Sequence, residues 1–120
     1  MKLCGICLLT SDAPRLAAFY QAVFQQVPDV DESHYSFGCA QLSVYDPGDV
    51  AVSSEKSASL MYFVEDLMAE YARLMREIPD IDITSPPQRR PWGACSMWFR
   101  DPDGHTVSFI QQDTDRGDEA

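Results

Sequence analysis

The chain has 120 residues, 45% of them hydrophobic, and carries 19 acidic against 9 basic side chains for a net charge of −10. That length suits one domain with one core, and no apolar run approaches the ~18 residues of a membrane-spanning helix. The acidic balance lacks the basic footprint that nucleic-acid binding requires.

The N-terminal residues MKLCGICLLTSD have one lysine, a short apolar run and no small-residue cleavage site. They predict a first strand over residues 2–9, apolar on both sides and so covered on both, and not a signal peptide. The expected location is the cytoplasm. Cys4-Gly-Ile-Cys7 has the spacing of a redox or zinc motif. On a strand, however, positions i and i+3 point to opposite faces. No second Cys/His pair completes a zinc site. The four cysteines therefore read as buried, reduced thiols.

Asp12 predicts an N-cap, and Pro14 is tolerated in a first helical turn. Leu16, Ala17, Phe19, Tyr20, Val23 and Phe24 follow at helical spacing, up to Pro28. Residues 29–33 read as an acidic loop. Strands are expected at residues 34–37 and 41–45, with a tight turn at Gly38 between them. Residues 50–53 read either as a short edge strand or as part of a loop.

A second strand–helix unit follows. Residues 58–64 predict a strand, Asp66 an N-cap, and Leu67, Met68, Tyr71, Leu74, Met75 and Ile78 an apolar helical stripe ending at Pro79. Residues 81–84 predict a short strand and residues 85–91 a polar, proline-rich loop. Two alternating runs then flank the four-residue turn Asp101-Pro102-Asp103-Gly104, which predicts a β-hairpin. Thr10-Ser11-Asp12-helix and Val64-Glu65-Asp66-helix are one unit repeated at about half the chain length. The predicted fold class is α+β: two βαβββ repeats, about 1–54 and 55–112, in a single domain. Residues 113–120 predict an acidic, disordered tail.

PWG, a strand, then RDPDGH and an apolar strand resemble the C-terminal signature of the vicinal oxygen chelate superfamily. That superfamily includes glyoxalases, extradiol dioxygenases, fosfomycin-resistance enzymes and bleomycin-resistance proteins. With the half-chain repeat, the resemblance covers nearly the whole chain. It implies a cupped mixed sheet, with helices outside and ligand on the concave face. Val107, Phe109, Trp98, Leu60, Tyr62 and Val64 would then face the helices. Gly5, Cys7, Ser59, Met61, Phe63, Cys95, Met97, Thr106, Ser108 and Ile110 would face the cup.

Metal-using members hold the ion with His, Gln or Glu on equivalent strands. The resemblance places those positions at Gly5, Ser59 and Ser108, with Ser43 or Tyr45 for the fourth. Glycine has no donor, and a serine hydroxyl is a poor ligand for a divalent metal. No metal or other cofactor and no catalytic residue is expected. His34 and His105 are the only histidines, and nothing pairs them. The turn is the ordinary role for His105.

The residues SLMYFVEDLMAEYARLMREI and RRPWG resemble the metal-free bleomycin-resistance type, whose members bind drugs without chemistry as small acidic dimers. The implied function is sequestration of a planar aromatic antibiotic, conferring resistance, in a cavity at a homodimer interface. The ligand would be flat and heteroaromatic, and the net charge favours a cation. The expected site is Trp92 at the cup's mouth, Phe63 and Phe99 on its wall and Tyr35 or Phe37 on the facing strand. Met61, Met97, Cys95, Ser59 and Ser108 complete the lining. The alternatives are a metal-dependent glyoxalase- or dioxygenase-type enzyme and a ligand sensor of the same fold.

Overall fold

The structure, a computed structural model, describes residues 1–48, 56, 58–91 and 93–112. It divides into two compact units, Met1–Glu55 and Lys56–Ala120. The expectations for residues 50–53, for Trp92 and for the tail at 113–120 fall outside the described residues.

The first unit runs β1 (Ile6–Leu9), α1 (Ala13–Phe24), β2 (Asp29–Asp31), β3 (His34–Phe37) and β4 (Leu42–Tyr45). Its strands lie in the order β1-β4-β3-β2, with β1 parallel to β4 and the other pairs antiparallel. The second unit runs β5 (Ser59–Phe63), α2 (Leu67–Glu77), β6 (Asp82–Arg89), β7 (Ala94–Arg100) and β8 (Thr106–Gln112). Its order, β5-β8-β7-β6, is the same topology again. The fold is therefore α+β, with the βαβββ pattern twice, as the repeat predicts.

The two helices start by the same device. Asp12 accepts a hydrogen bond from the Arg15 amide at 3.3 Å, and Asp66 one from the Ala69 amide at 3.1 Å. Each carboxylate satisfies an amide that has no partner inside its own helix. α1 packs against β3 and β4 through Leu16, Ala17, Phe19, Tyr20 and Val23. α2 packs against β6, β7 and β8, but buries only Leu67 and Leu74 fully. Met68 and Met75 stay exposed, so its apolar stripe is narrower than the spacing predicts.

Several local expectations are corrected. β1 is an edge strand and begins only at Ile6. Only Leu8 on it is buried, so it is not covered on both sides. The acidic stretch holds a strand, β2, which pairs with β3 in register Val30 to Tyr35. Glu32, at φ 55, makes the turn between them. The first helix ends at Gln25, whose left-handed backbone closes it three residues before Pro28. The stretch expected to be a proline-rich loop is the greater part of β6. Prolines cannot donate to a ladder, which confines them to edges and bulges. β6 is an edge strand, and its register shifts on both sides of Ser85.

Candidate functional site

In each unit one face of the sheet carries the helix and the other is open. Opposed residues of neighbouring strands share a face, so register decides which side chains reach it. In the second unit Met97 lies opposite Phe109 and Phe99 opposite Val107, while Trp98 lies opposite Ser108 and Ser96 opposite Ile110. Met97, Phe99 and Val107 are fully buried. The Phe99 and Phe109 rings meet edge to face at 5.2 Å. These residues form the core under α2.

The assignment of β7 is therefore corrected. Cys95, Met97 and Phe99 belong to the helix face, and Trp98 to the open face. A four-residue hairpin loop would place Arg100 opposite His105. The actual loop has five residues, because Asp101 draws His105 into it. The buried Asp101 carboxylate accepts from the Asp103 and His105 amides at 3.0 and 2.9 Å. Its second oxygen lies 2.8 Å from His105 Nδ1. Arg100 then pairs with Thr106, and one added residue turns the whole strand over. His105 has the turn role that its position suggests.

In the first unit Phe37 lies opposite Leu42, and Tyr35 opposite Val44. Phe37 is fully buried, with its ring 5.5 Å from that of Phe24. Phe37 and Tyr35 thus belong to the α1 face, which corrects their placement on the facing wall, although Phe37 also lines a hollow on this unit. The open face carries Cys7, Ser43, Ser36 and His34 in their stead. His34 Nδ1 lies 3.3 Å from Ser36 Oγ, and its ring 5.8 Å from that of Tyr45. A hollow of about 300 Å³ on this unit is lined by Cys4, Gly5, Cys7, Ser36, Gln41 and Ser43, among others. Gly5, at φ 155, breaks the strand alternation, and both Cys4 and Cys7 line the hollow. Cys4 precedes β1, so the opposite-faces argument does not apply to that pair; Cys4, Cys7 and Cys39 are exposed, which corrects the expectation of buried thiols. An added Cβ at Gly5 would meet Gln41 O at 3.1 Å.

The larger hollow lies on the open face of the second unit and measures about 480 Å³. Ser59, Met61, Ser96, Trp98, Thr106, Ser108 and Ile110 line it, with Ala58 and Lys56 at one side. Of the expected site residues, Ser59, Met61 and Ser108 come together here. Phe63 lies on the same strand face as Met61 and is 71% exposed. Sequence reasoning missed Trp98, Ser96 and Arg90. The legible signal for the first two was hairpin parity, which a five-residue loop reverses. Arg90 Nε donates to Ser96 Oγ at 2.7 Å, and Nη2 to Ser85 Oγ at 3.0 Å. Its Cζ lies 4.8 Å from the Trp98 ring centroid.

The ligand positions that the resemblance implies can be matched by topology. Cys7 pairs with Ser43 and Met61 with Ser108, so Ser43, rather than Tyr45, is the counterpart of Ser108. The set is then Gly5, Ser43, Ser59 and Ser108: no side chain and three neutral hydroxyls. Such donors do not fit a divalent metal. Among the described residues, no three His, Cys, Asp or Glu side chains are grouped to hold one. No helix is long and apolar enough to cross a membrane among the described residues.

A family model described as the glyoxalase/bleomycin resistance protein/dioxygenase superfamily matches residues 3–109. No curated protein matches the sequence. Among solved structures, a protein of unknown function from Agrobacterium tumefaciens superposes with a TM-score of 0.78 at 18% identity, over 93% of this chain and 94% of that one. A glyoxalase/bleomycin resistance protein/dioxygenase from Nocardioides gives 0.72 at 18% identity, over 93% and 84%. A lactoylglutathione lyase from Agrobacterium tumefaciens gives 0.68 at 19% identity, over 89% and 91%.

Proposed function

The chain belongs to the glyoxalase/bleomycin resistance protein/dioxygenase superfamily, and from that premise we propose that it is a binding member, which sequesters a flat aromatic natural product without transforming it. The observation that carries this reading is the hollow on the second unit. Its volume of about 480 Å³ falls within the range of small-molecule sites. Its lining combines an indole, a thioether and a ring of hydroxyls. Trp98 offers a π-face for stacking, worth about 0.5–1.5 kcal/mol beyond area burial. The serines at Ser59, Ser96 and Ser108 offer hydrogen bonds, which orient a heteroaromatic ring.

Catalysis of the superfamily's metal-dependent kind requires donors that Gly5, Ser43, Ser59 and Ser108 do not supply. The same positions support passive binding, since small side chains leave room for a ligand. Resistance by sequestration of an aromatic antibiotic is the physiological role proposed. The protein acts as a homodimer, in which a second chain covers open sheet surface. The exposure of Met61 and Phe63, 67% and 71%, supports this, because contiguous exposed apolar surface marks an interaction site.

Tryptophan fluorescence tests the reading. Titration with planar antibiotics such as quinoxaline peptides or bleomycins should quench emission saturably, and the recovered ligand should be chemically unchanged. Turnover that depends on added zinc, nickel, manganese or iron would replace this reading with the enzymatic one.

A further inference from the structure

We infer that the hollow of the second unit selects a ligand whose flat ring bears an oxyanion, a carboxylate in the simplest case, and that Arg90 receives it. The inference rests on the binding reading above and adds to it the charge of the ligand.

Arg90 is not itself among the lining residues but is anchored by two that are, Ser96 and Trp98. Nε donates to Ser96 Oγ at 2.7 Å, and the guanidinium lies 4.8 Å from the Trp98 ring centroid. Nη2 divides its donors between Ser85 Oγ at 3.0 Å and the Ser96 carbonyl at 3.4 Å. Every acceptor is neutral. Among the described residues no carboxylate pairs with Arg90, and its Nη1 donates no hydrogen bond. The side chain is half-buried. A cation held in place with donors unspent is a receptor for an anion, and a guanidinium fork fits a planar carboxylate.

The surroundings agree. Among the described lining residues Lys56 is the only ionisable one, and none is Asp or Glu. In a chain with 19 acids and 9 bases, a described lining without a carboxylate, with Arg90 against two of its residues, runs against the whole-chain charge. Arg90 over Trp98 also gives one aromatic ligand two adjoining surfaces: an indole for its ring and a cation for its charged substituent.

The competing role for Arg90 is a staple that ties β6 to β7 through Ser85 and Ser96. A matched pair of probes separates the two. Calorimetry on the full chain should show 2-naphthoate binding at least about tenfold more tightly than 2-naphthamide, with the preference falling as salt rises. Arg90→Gln should bring the ratio of naphthoate to naphthamide affinity to about one, whatever it does to the two affinities together. Arg90→Lys should restore part of the preference. Equal affinities in the parent protein would overturn the inference, and that comparison needs no variant to fold. So would a preference that survives in Arg90→Gln, which would leave Arg90 as a staple. Binding of both probes without preference leaves the sequestration reading standing, whereas binding of neither removes both.

Discussion

Trp98 and Phe99 are neighbours in sequence with opposite duties. Phe99 is fully buried against Phe109, so Phe99→Ala should cost about 3–5 kcal/mol by loss of contacts and cavity formation. Chemical denaturation measures it. Trp98 is 41% exposed on the open face. Trp98→Ala should therefore weaken an aromatic ligand by about 1–3 kcal/mol while changing the denaturation midpoint little. Equal ligand affinity in that variant would remove Trp98 from the site. Trp92→Ala, run beside it, tests the tryptophan that sequence alone favoured. Asp101 works differently again. Its carboxylate holds two amides and the His105 ring in one turn. Asp101→Ala should destabilise by about 2–4 kcal/mol, since each lost bond to a charged acceptor leaves a donor unsatisfied.

The elements repeat their local rules in both units. Asp12→Ala and Asp66→Ala should each cost about 1 kcal/mol, and the double variant should show the sum, because the caps serve separate helices. A thermal or denaturant cycle on the four proteins checks additivity. On α2, Arg73 bridges Glu70 at 2.7 Å and Glu77 at 2.6 Å. Burial alone would lower the Arg73 pKa, but the bonds and charges of the two glutamates more than offset this and leave it raised. β1 shows where an element rule fails. Gly5→Ala would press a Cβ against Gln41 O in a backbone conformation that L-residues avoid. It should destabilise by about 1–3 kcal/mol, readable in the melt of the variant.

At the scale of the whole molecule the proposals concern assembly and metal. Light scattering should return twice the chain mass of 13.5 kDa at micromolar concentration. A monomer there would count against the dimer. Elemental analysis of protein purified without added metal should find no stoichiometric zinc, nickel, manganese or iron. Chelator treatment should leave ligand affinity unchanged. A metal-dependent affinity would show that donors other than Gly5, Ser43, Ser59 and Ser108 hold an ion.

The repeat was legible from one end of the chain to the other because its causes are local. Asp12 and Asp66 cap helices through amides three residues away, and apolar spacing shows the helices themselves. Edge strands were less legible. Whether a stretch such as Asp29–Asp31 or Asp82–Arg89 pairs depends on a partner strand, not on its own composition. The site was only partly legible. Ser59, Met61 and Ser108 sit where alternation puts them, because β5 and β8 run parallel with unbroken register. Cys95, Met97, Phe99, Tyr35 and Phe37 went to the other face. Alternation states that neighbours differ in face, but not which face is which. That choice belongs to register, and for Cys95, Met97 and Phe99 a buried aspartate sets it by adding His105 to a turn. Arg90 was out of reach for a related reason: its partners Ser85, Ser96 and Trp98 lie on two strands, and only the folded sheet brings them to one guanidinium.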